Sequence, residues 1–252
     1  MMRAIKLLRS LMVSVRKQIV LFGLFVSVIS SQAASVVPLR VSPIHYLSDT
    51  NLALFLLAPP PGQNSAEQQA DMADVMLAHT NTSAWATNVA ASERRISVFT
   101  FAPVIGSFFQ TNRFPRTEIL FRHVAQDTDK VVEAGKVYWN RPRPYVVDTN
   151  LFDGEEEKFA GSYPSGHSTL ATVLALLLVD IFPEQREAIL SKAEEIGWHR
   201  VLLAKHYPTD IYAGRVLGRR IVEEFRKNRR FRQDFREARL EILSSVRKSG
   251  VQ

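Results

Sequence analysis

The stretch from Ser168 to Phe182 is the most apolar inside the chain, with Asp180 as its one charged residue. A helix of that character has no polar face to give to water, so other elements must surround it. It is also short for a bilayer, which asks for about 20 apolar residues. The stretch therefore predicts a buried central helix, and the rest of the chain must supply the walls around it. Those walls read as helices. Ser65 precedes an Ala-rich, proline-free run from Glu67 to Thr80, and Ser83 to Arg95 repeats the pattern. Pro115 to Tyr138 puts a proline in the first turn and spaces Ile119, Leu120, Val124, Val131 and Val132 on a broken apolar face. After Pro183, Glu184 to Leu203 reads as a further helix. Thr209-Asp210 then opens a last helix, expected to run through Ile211 to Val246, whose interleaved acids and bases suit a solvated face. No strand pattern competes, so the predicted fold is all-α, a single-domain helical bundle.

The N-terminus asks to be set apart before charge is interpreted. Arg3, Lys6, Arg9, Arg16 and Lys17 precede an apolar run from Ile19 to Ile29, and Ser31-Gln32-Ala33 follows with small residues. This is the pattern of a secretory signal with cleavage after Ala33, favoured over a retained anchor because the run is short. The expected division is a signal peptide over 1–33, an extended N-terminal arm over 34–64 and an enzyme domain with a long C-terminal helix over 65–252. Within the arm, Pro38 and Pro43 interrupt Val36 to Thr50, and an apolar segment from Leu52 to Ala58 stops at Pro59-Pro60-Pro61-Gly62. The formal charge of +7 falls to +2 once the leader's five basic residues are removed, leaving 27 basic against 25 acidic. The case for a nucleic-acid partner loses its force with them. A periplasmic or secreted protein with no stable membrane span is expected, its oligomeric state open to a homo-oligomer. The chain has no cysteine, which excludes a thiol nucleophile.

Reactive side chains concentrate in three segments: Lys136 with Arg143-Pro144, then Pro164-Ser165-Gly166-His167, then Arg200 with His206 and Asp210. A phosphoryl group in transfer spreads negative charge over three oxygens and needs fixed cations and hydrogen-bond donors around it. Lys136 supplies a point charge, and Arg143 and Arg200 supply planar forks. Ser165, Gly166 and His167 stand where the central helix begins, and its free N–H groups and dipole attract anions. Hydrolysis through a covalent intermediate needs one neutral imidazole to attack and one protonated imidazole to assist the leaving alkoxide. Asp210, four residues after His206, can accept the Nδ1 proton and leave Nε2 free. His206 is thus the expected nucleophile, Asp210 its orienter, and His167 the general acid and later base. Lys136, Arg143, Ser165, Gly166 and Arg200 are the expected phosphate ligands. No metal-ligand pattern accompanies them, so no metal and no other cofactor is expected. Arg141, also before a proline but lacking the six-residue gap from Lys136, is expected to be an auxiliary charge at the rim.

Taken together and in this order, the three segments resemble the phosphatidic acid phosphatase type 2 (PAP2) and vanadium haloperoxidase superfamily. Gly161-Ser162-Tyr163-Pro164-Ser165-Gly166-His167 is similar to the signature of bacterial class A non-specific acid phosphatases. The resemblance implies a helical bundle of that type, small phosphate monoesters as substrates and the residue roles given above. The third segment departs from the family pattern at His199, where serine is usual; packing of His199 beside Trp198 is the expected reason. Two enzyme alternatives use the same cation cage: a vanadate-dependent haloperoxidase and a phosphotransferase. A non-catalytic phosphate- or polyanion-binding module is the alternative from another class.

Overall fold

The computed structural model describes residues 44–152, 154, 157 and 160–249, which belong to one compact unit. The expected leader and the first part of the arm, residues 34–43, lie outside them. In chain order the helices are α1 (Leu52–Leu56), α2 (Ala66–Thr80), α3 (Ala84–Ser92), α4 (Ala102–Ile105), α5 (Pro115–Trp139), α6 (Pro144–Val147), α7 (Gly166–Val179), α8 (Arg186–Leu202), α9 (Pro208–Lys227) and α10 (Arg229–Ser249). Short 3-10 turns punctuate them, and no strand occurs among the described residues. The fold is all-α, as the sequence predicts.

The apolar stretch forms α7, buried along most of its length from Ser168 to Val179. It packs against α9, α8 and α5, which are the walls it requires. The approach of α9 is closest where Gly214 and Gly218, one turn apart, face α7. A Cβ at Gly214 would lie 2.8 Å from the Ser165 carbonyl oxygen, and one at Gly218 would lie 2.8 Å from that of Thr169. Neither backbone could yield, so both positions need bare glycine. The serine caps behave as read: Ser65 Oγ accepts from the Gln68 N–H at 3.1 Å and Ser83 Oγ from the Ala86 N–H at 3.1 Å.

Two boundaries differ from the sequence reading. The helix expected to reach Arg95 stops at Ser92, where Glu93 leaves helical geometry and its side chain pairs with Lys192 and His199 of α8. The last helix is not continuous: Asn228 adopts an extended conformation between α9 and α10. Its amide donates to the Tyr46 carbonyl at 2.7 Å and its Oδ1 caps α10 by accepting from the Phe231 N–H at 3.0 Å. Arg232 meanwhile donates to the Arg226 and Lys227 carbonyls that the break exposes. These local bonds replace the helical ones, and α10 folds back along α5.

The described part of the arm is fastened to α5. The backbone N–H groups of His45, Tyr46 and Leu47 donate to the fully buried Asp127 carboxylate at 2.9, 2.7 and 3.1 Å. The Tyr46 ring meets Phe225 and Phe231 edge-on, at the α9–α10 break. α1, read as part of an extended arm, is a short helix lying against α5.

Candidate active site

Proline and glycine bring the three reactive segments to one end of α7. Helix α5 ends at Asn140, which takes the left-handed conformation (φ 41°), and Arg141-Pro142-Arg143-Pro144 then turns the chain sharply. Arg143 is extended, as a residue before proline should be, and fully buried. Ser165 is the N-cap of α7, accepting from the Ser168 N–H at 3.3 Å, and Gly166 and His167 form the first turn. Helix α8 carries Arg200 and ends two residues later. Ala204 then turns through a left-handed conformation (φ 51°), and the Lys205 and His206 N–H groups return to the Arg200 carbonyl at 2.9 and 3.2 Å. That tight loop sets His206 beside the helix bearing Arg200.

The result is a cleft of about 650 Å³. Lys136, Arg143, Gly166, His167 and His206 line it, with Glu157, Arg94 and Arg95 among the other walls. Three of the expected residues stand behind this surface. Ser165 and Asp210 are fully buried, and the Arg200 guanidinium is engaged by the Glu157 carboxylate.

His206 sits between a carboxylate and a cation. Its Nδ1 is 3.3 Å from Asp210 Oδ2, and its Nε2 is 3.4 Å from the Arg143 Nη1, which also donates to the Lys205 carbonyl at 2.8 Å. Arg143 can only donate, so Nε2 is the ring's acceptor and Nδ1 carries the proton toward Asp210. Burial, reinforced by Lys136, Arg143 and Arg200, holds the His206 pKa well below the usual imidazole range. The ring is therefore neutral, with a lone pair in the cleft. Lys136 donates to the Gly161 and Ser162 carbonyls at 2.9 and 3.2 Å, which aims its ammonium from the last turn of α5. His167 is half-buried, its Nε2 3.1 Å from the Arg94 carbonyl. Burial and then the Arg200 charge lower its pKa to about 4.

Arg141 is not at the rim, as expected from sequence, but beneath the site with 4% of its surface exposed. It donates to Asp210 Oδ1 at 2.6 Å and to Asp71 Oδ2 at 2.7 Å, and its guanidinium lies 4.0 Å from the centre of the Tyr207 ring. Asp210 Oδ2 in turn accepts from the Tyr207 N–H at 2.9 Å. The carboxylate facing His206 is thus pinned on both oxygens, through Arg141 to α2 and through the first turn of α9. Burial pushes the Asp210 carboxyl up while the Arg141 guanidinium opposes it.

Two further residues were missed or misplaced in the sequence reading. Glu157 belongs to the acidic run Asp153-Gly154-Glu155-Glu156-Glu157, which carries no motif, yet its carboxylate bonds Arg200 beside the cleft. Burial pushes the Glu157 carboxyl up, but the Arg200 and Arg143 charges outweigh it and hold the group below the usual carboxylate range. His199 does not simply pack beside Trp198. Its Nδ1 is 2.6 Å from Glu93 Oε2, while Lys192 reaches Glu93 at 2.7 Å and Glu195 at 3.1 Å. Glu93, Glu195 and His199 present ligand-type atoms close together, and the Lys192 ammonium supplies the positive charge among them.

A PAP2 superfamily model matches residues 124–230. The chain is 28% identical over 187 residues to the non-specific acid phosphatase of Salmonella typhimurium, covering 71% of this chain and 75% of that protein. It is 26% identical over 211 residues to the acid phosphatase of Zymomonas mobilis, covering 80% and 78%. The non-specific acid phosphatase of Providencia stuartii is 27% identical over 210 residues, covering 79% and 85%.

Proposed function

We propose that this phosphatase, whose residues 124–230 match the PAP2 superfamily model, is an exported acid phosphatase of broad specificity that hydrolyses phosphate monoesters through a phosphohistidine. The observation that carries this reading is the environment of His206: a neutral ring whose Nε2 faces the cleft beside Arg143 while Nδ1 faces Asp210.

The geometry supports a two-step reaction. A phosphate monoester enters with its oxygens toward Lys136, Arg143, Arg200 and the N–H groups that open α7, which balance the charge spread over the transferring group. Arg200 must exchange its Glu157 partner for phosphate oxygens. His206 Nε2 attacks phosphorus, and the P–O bond to the leaving group breaks as His167 gives that oxygen a proton. Asp210 compensates the positive charge that the attacking ring acquires, and Arg141 holds the carboxylate in place. Water, deprotonated by His167, then attacks phosphorus, the P–N bond breaks, and phosphate leaves. In the free protein His167 is protonated only near its pKa of about 4. A bound phosphate's negative charge favours the imidazolium and brings it into use at mildly acidic pH. The residues that stabilise charge are side chains and helix N–H groups, so activity is expected to persist in a chelator.

Turnover of a small aryl phosphate across pH, with and without chelator, tests the reading. A bell-shaped profile with an acidic optimum is expected. A flat profile between about pH 4 and 9 would contradict two histidines in opposite protonation states.

A further inference from the structure

The phosphate cleft does not end at His167. A second hollow, of about 280 Å³, shares three of its lining residues, Ile96, Ala125 and Leu170. Helix geometry makes the continuity intelligible. On α7, Gly166 and His167 face the phosphate end, and Leu170 and Leu174 follow on the same side one and two turns later. On α5, Lys136, Val132, Asp129 and Ala125 descend from the cleft in steps of three or four, and Phe121 continues the row into the second hollow. The segment Ile96–Phe99 forms the opposite wall. The character changes along this path, from the cations and histidines at one end to a mostly apolar lining at the other, with Leu170, Leu174, Phe121 and Phe99, in which Glu118 and Arg122 are the charged residues. Seven residues of α7 from His167 to Leu174 span about 10 Å.

We infer that this mostly apolar groove receives the leaving group, and that among the many phosphate monoesters it hydrolyses the protein turns over fastest those of alcohols with a single medium-length alkyl or arylalkyl tail. The inference rests on the phosphatase reading for the placement of the phosphate. With phosphate held at His206, an ester oxygen directed toward His167 points its carbon chain along the α7 face toward Leu170 and Leu174. The occupant is fixed by that continuity: the groove opens from the cleft wall, so what enters it is attached to the phosphate. Its volume accommodates roughly nine groups of water size at about 30 Å³ each, which matches a chain of about eight carbons or a phenyl ring on a short linker. The groove's polar residues are Ser97, Thr111, Glu118 and Arg122 and the rest of its lining is apolar, so the several hydroxyl groups of sugar and glycerol phosphates find fewer partners there than in water, and these are poorer substrates.

Two series on the full-length wild-type protein test this, both used below the concentration at which the compounds form micelles. The first measures kcat/KM for ethyl, butyl, hexyl and octyl phosphate and for glycerol phosphate. The second measures binding of the matching alkylphosphonates by calorimetry, which needs no turnover. Each methylene buried is expected to raise kcat/KM, and to tighten phosphonate binding, by roughly two- to fourfold until the groove is filled. The exposed Thr111 lines the second hollow and not the phosphate cleft. Thr111→Phe should leave ethyl phosphate turnover unchanged and cancel the gain from the longest chains. Equal rates for ethyl, octyl and glycerol phosphate together with phosphonate binding independent of chain length would overturn the groove while leaving the phosphatase intact. Phosphonates that tighten with length in a protein that hydrolyses none of the esters would support the groove and overturn the phosphatase reading instead.

Discussion

Arg141 shows how much of this site depends on a residue that touches no substrate. Its guanidinium pairs with both Asp71 and Asp210 in the protein interior and holds Asp210 toward His206. Removing one partner of a buried ion pair leaves the other charge uncompensated, and here two carboxylates would be stranded. Arg141→Ala is expected to lower stability by about 3–5 kcal/mol, measured as a shift in the denaturant midpoint; a change within experimental error would contradict the burial. Glu157 predicts the opposite sort of effect. Its carboxylate competes for Arg200 with the incoming phosphate, so Glu157→Gln should lower KM for a small aryl phosphate by roughly threefold to tenfold. A raised KM would show that the acid assists binding. The residues gathered at the cleft were legible because their types and spacings suit a phosphate site. Arg141 and Glu157 were not: the direction of Arg141 ahead of Pro142, and the reach of the Glu157 carboxylate to Arg200, depend on tertiary packing.

The helices themselves contribute by where they begin and stop. Helix α7 could be recognised from sequence as the buried centre because no other placement satisfies its composition. The end of α3 and the break at Asn228 could not, since both are decided by distant partners, Lys192 and His199 in one case and Tyr46 in the other. The end of α3 matters for chemistry. His199 stands one residue before Arg200 on α8 and holds Glu93, whose neighbour Arg94 offers the carbonyl that bonds His167. Burial pushes the Glu93 carboxyl up, but hydrogen bonds from His199 and Lys192 outweigh it and lower its pKa. His199 thus ties the helix that carries Arg200 to the wall against which His167 is held. His199→Ala should cost about 1.5–3 kcal/mol of stability through the lost charged hydrogen bond. It should also reduce kcat by roughly threefold to tenfold, with sulfate affinity unchanged. Loss of sulfate affinity in step with kcat would mean that the contact serves Arg200 and not His167.

For the molecule as a whole, burying two neutral histidines among cations makes stability depend on pH. The unfolded chain takes up protons on both rings near pH 6.5, whereas folded His167 does so only near 4 and folded His206 is held well below the usual imidazole range. Between those values the unfolded state binds more protons, so stability rises with pH across the window and is lost as pH falls from about 6.5 toward 4. An anion in the cleft reverses part of this by favouring protonated His167. Sulfate, whose charge is constant over the range, should therefore raise the thermal midpoint more at pH 5 than at pH 7.5. An equal gain at both values would detach His167 from the anion site. At this scale the sequence was most informative about class and least about shape: it marks an all-α phosphate enzyme, while the groove beside the cleft appears only when α5 and α7 lie side by side.

The direct test of the account is the fate of phosphate on the protein during turnover. Rapid acid-free quenching of the wild type with a labelled aryl phosphate should trap protein-bound phosphate that is stable in base and labile in acid, as a phosphorus–nitrogen bond requires. His206→Ala, shown to be folded by its circular dichroism and by retained binding of sulfate, should trap none. Equal labelling of the two proteins, or hydrolysis without any trapped phosphate, would remove His206 from the position of nucleophile.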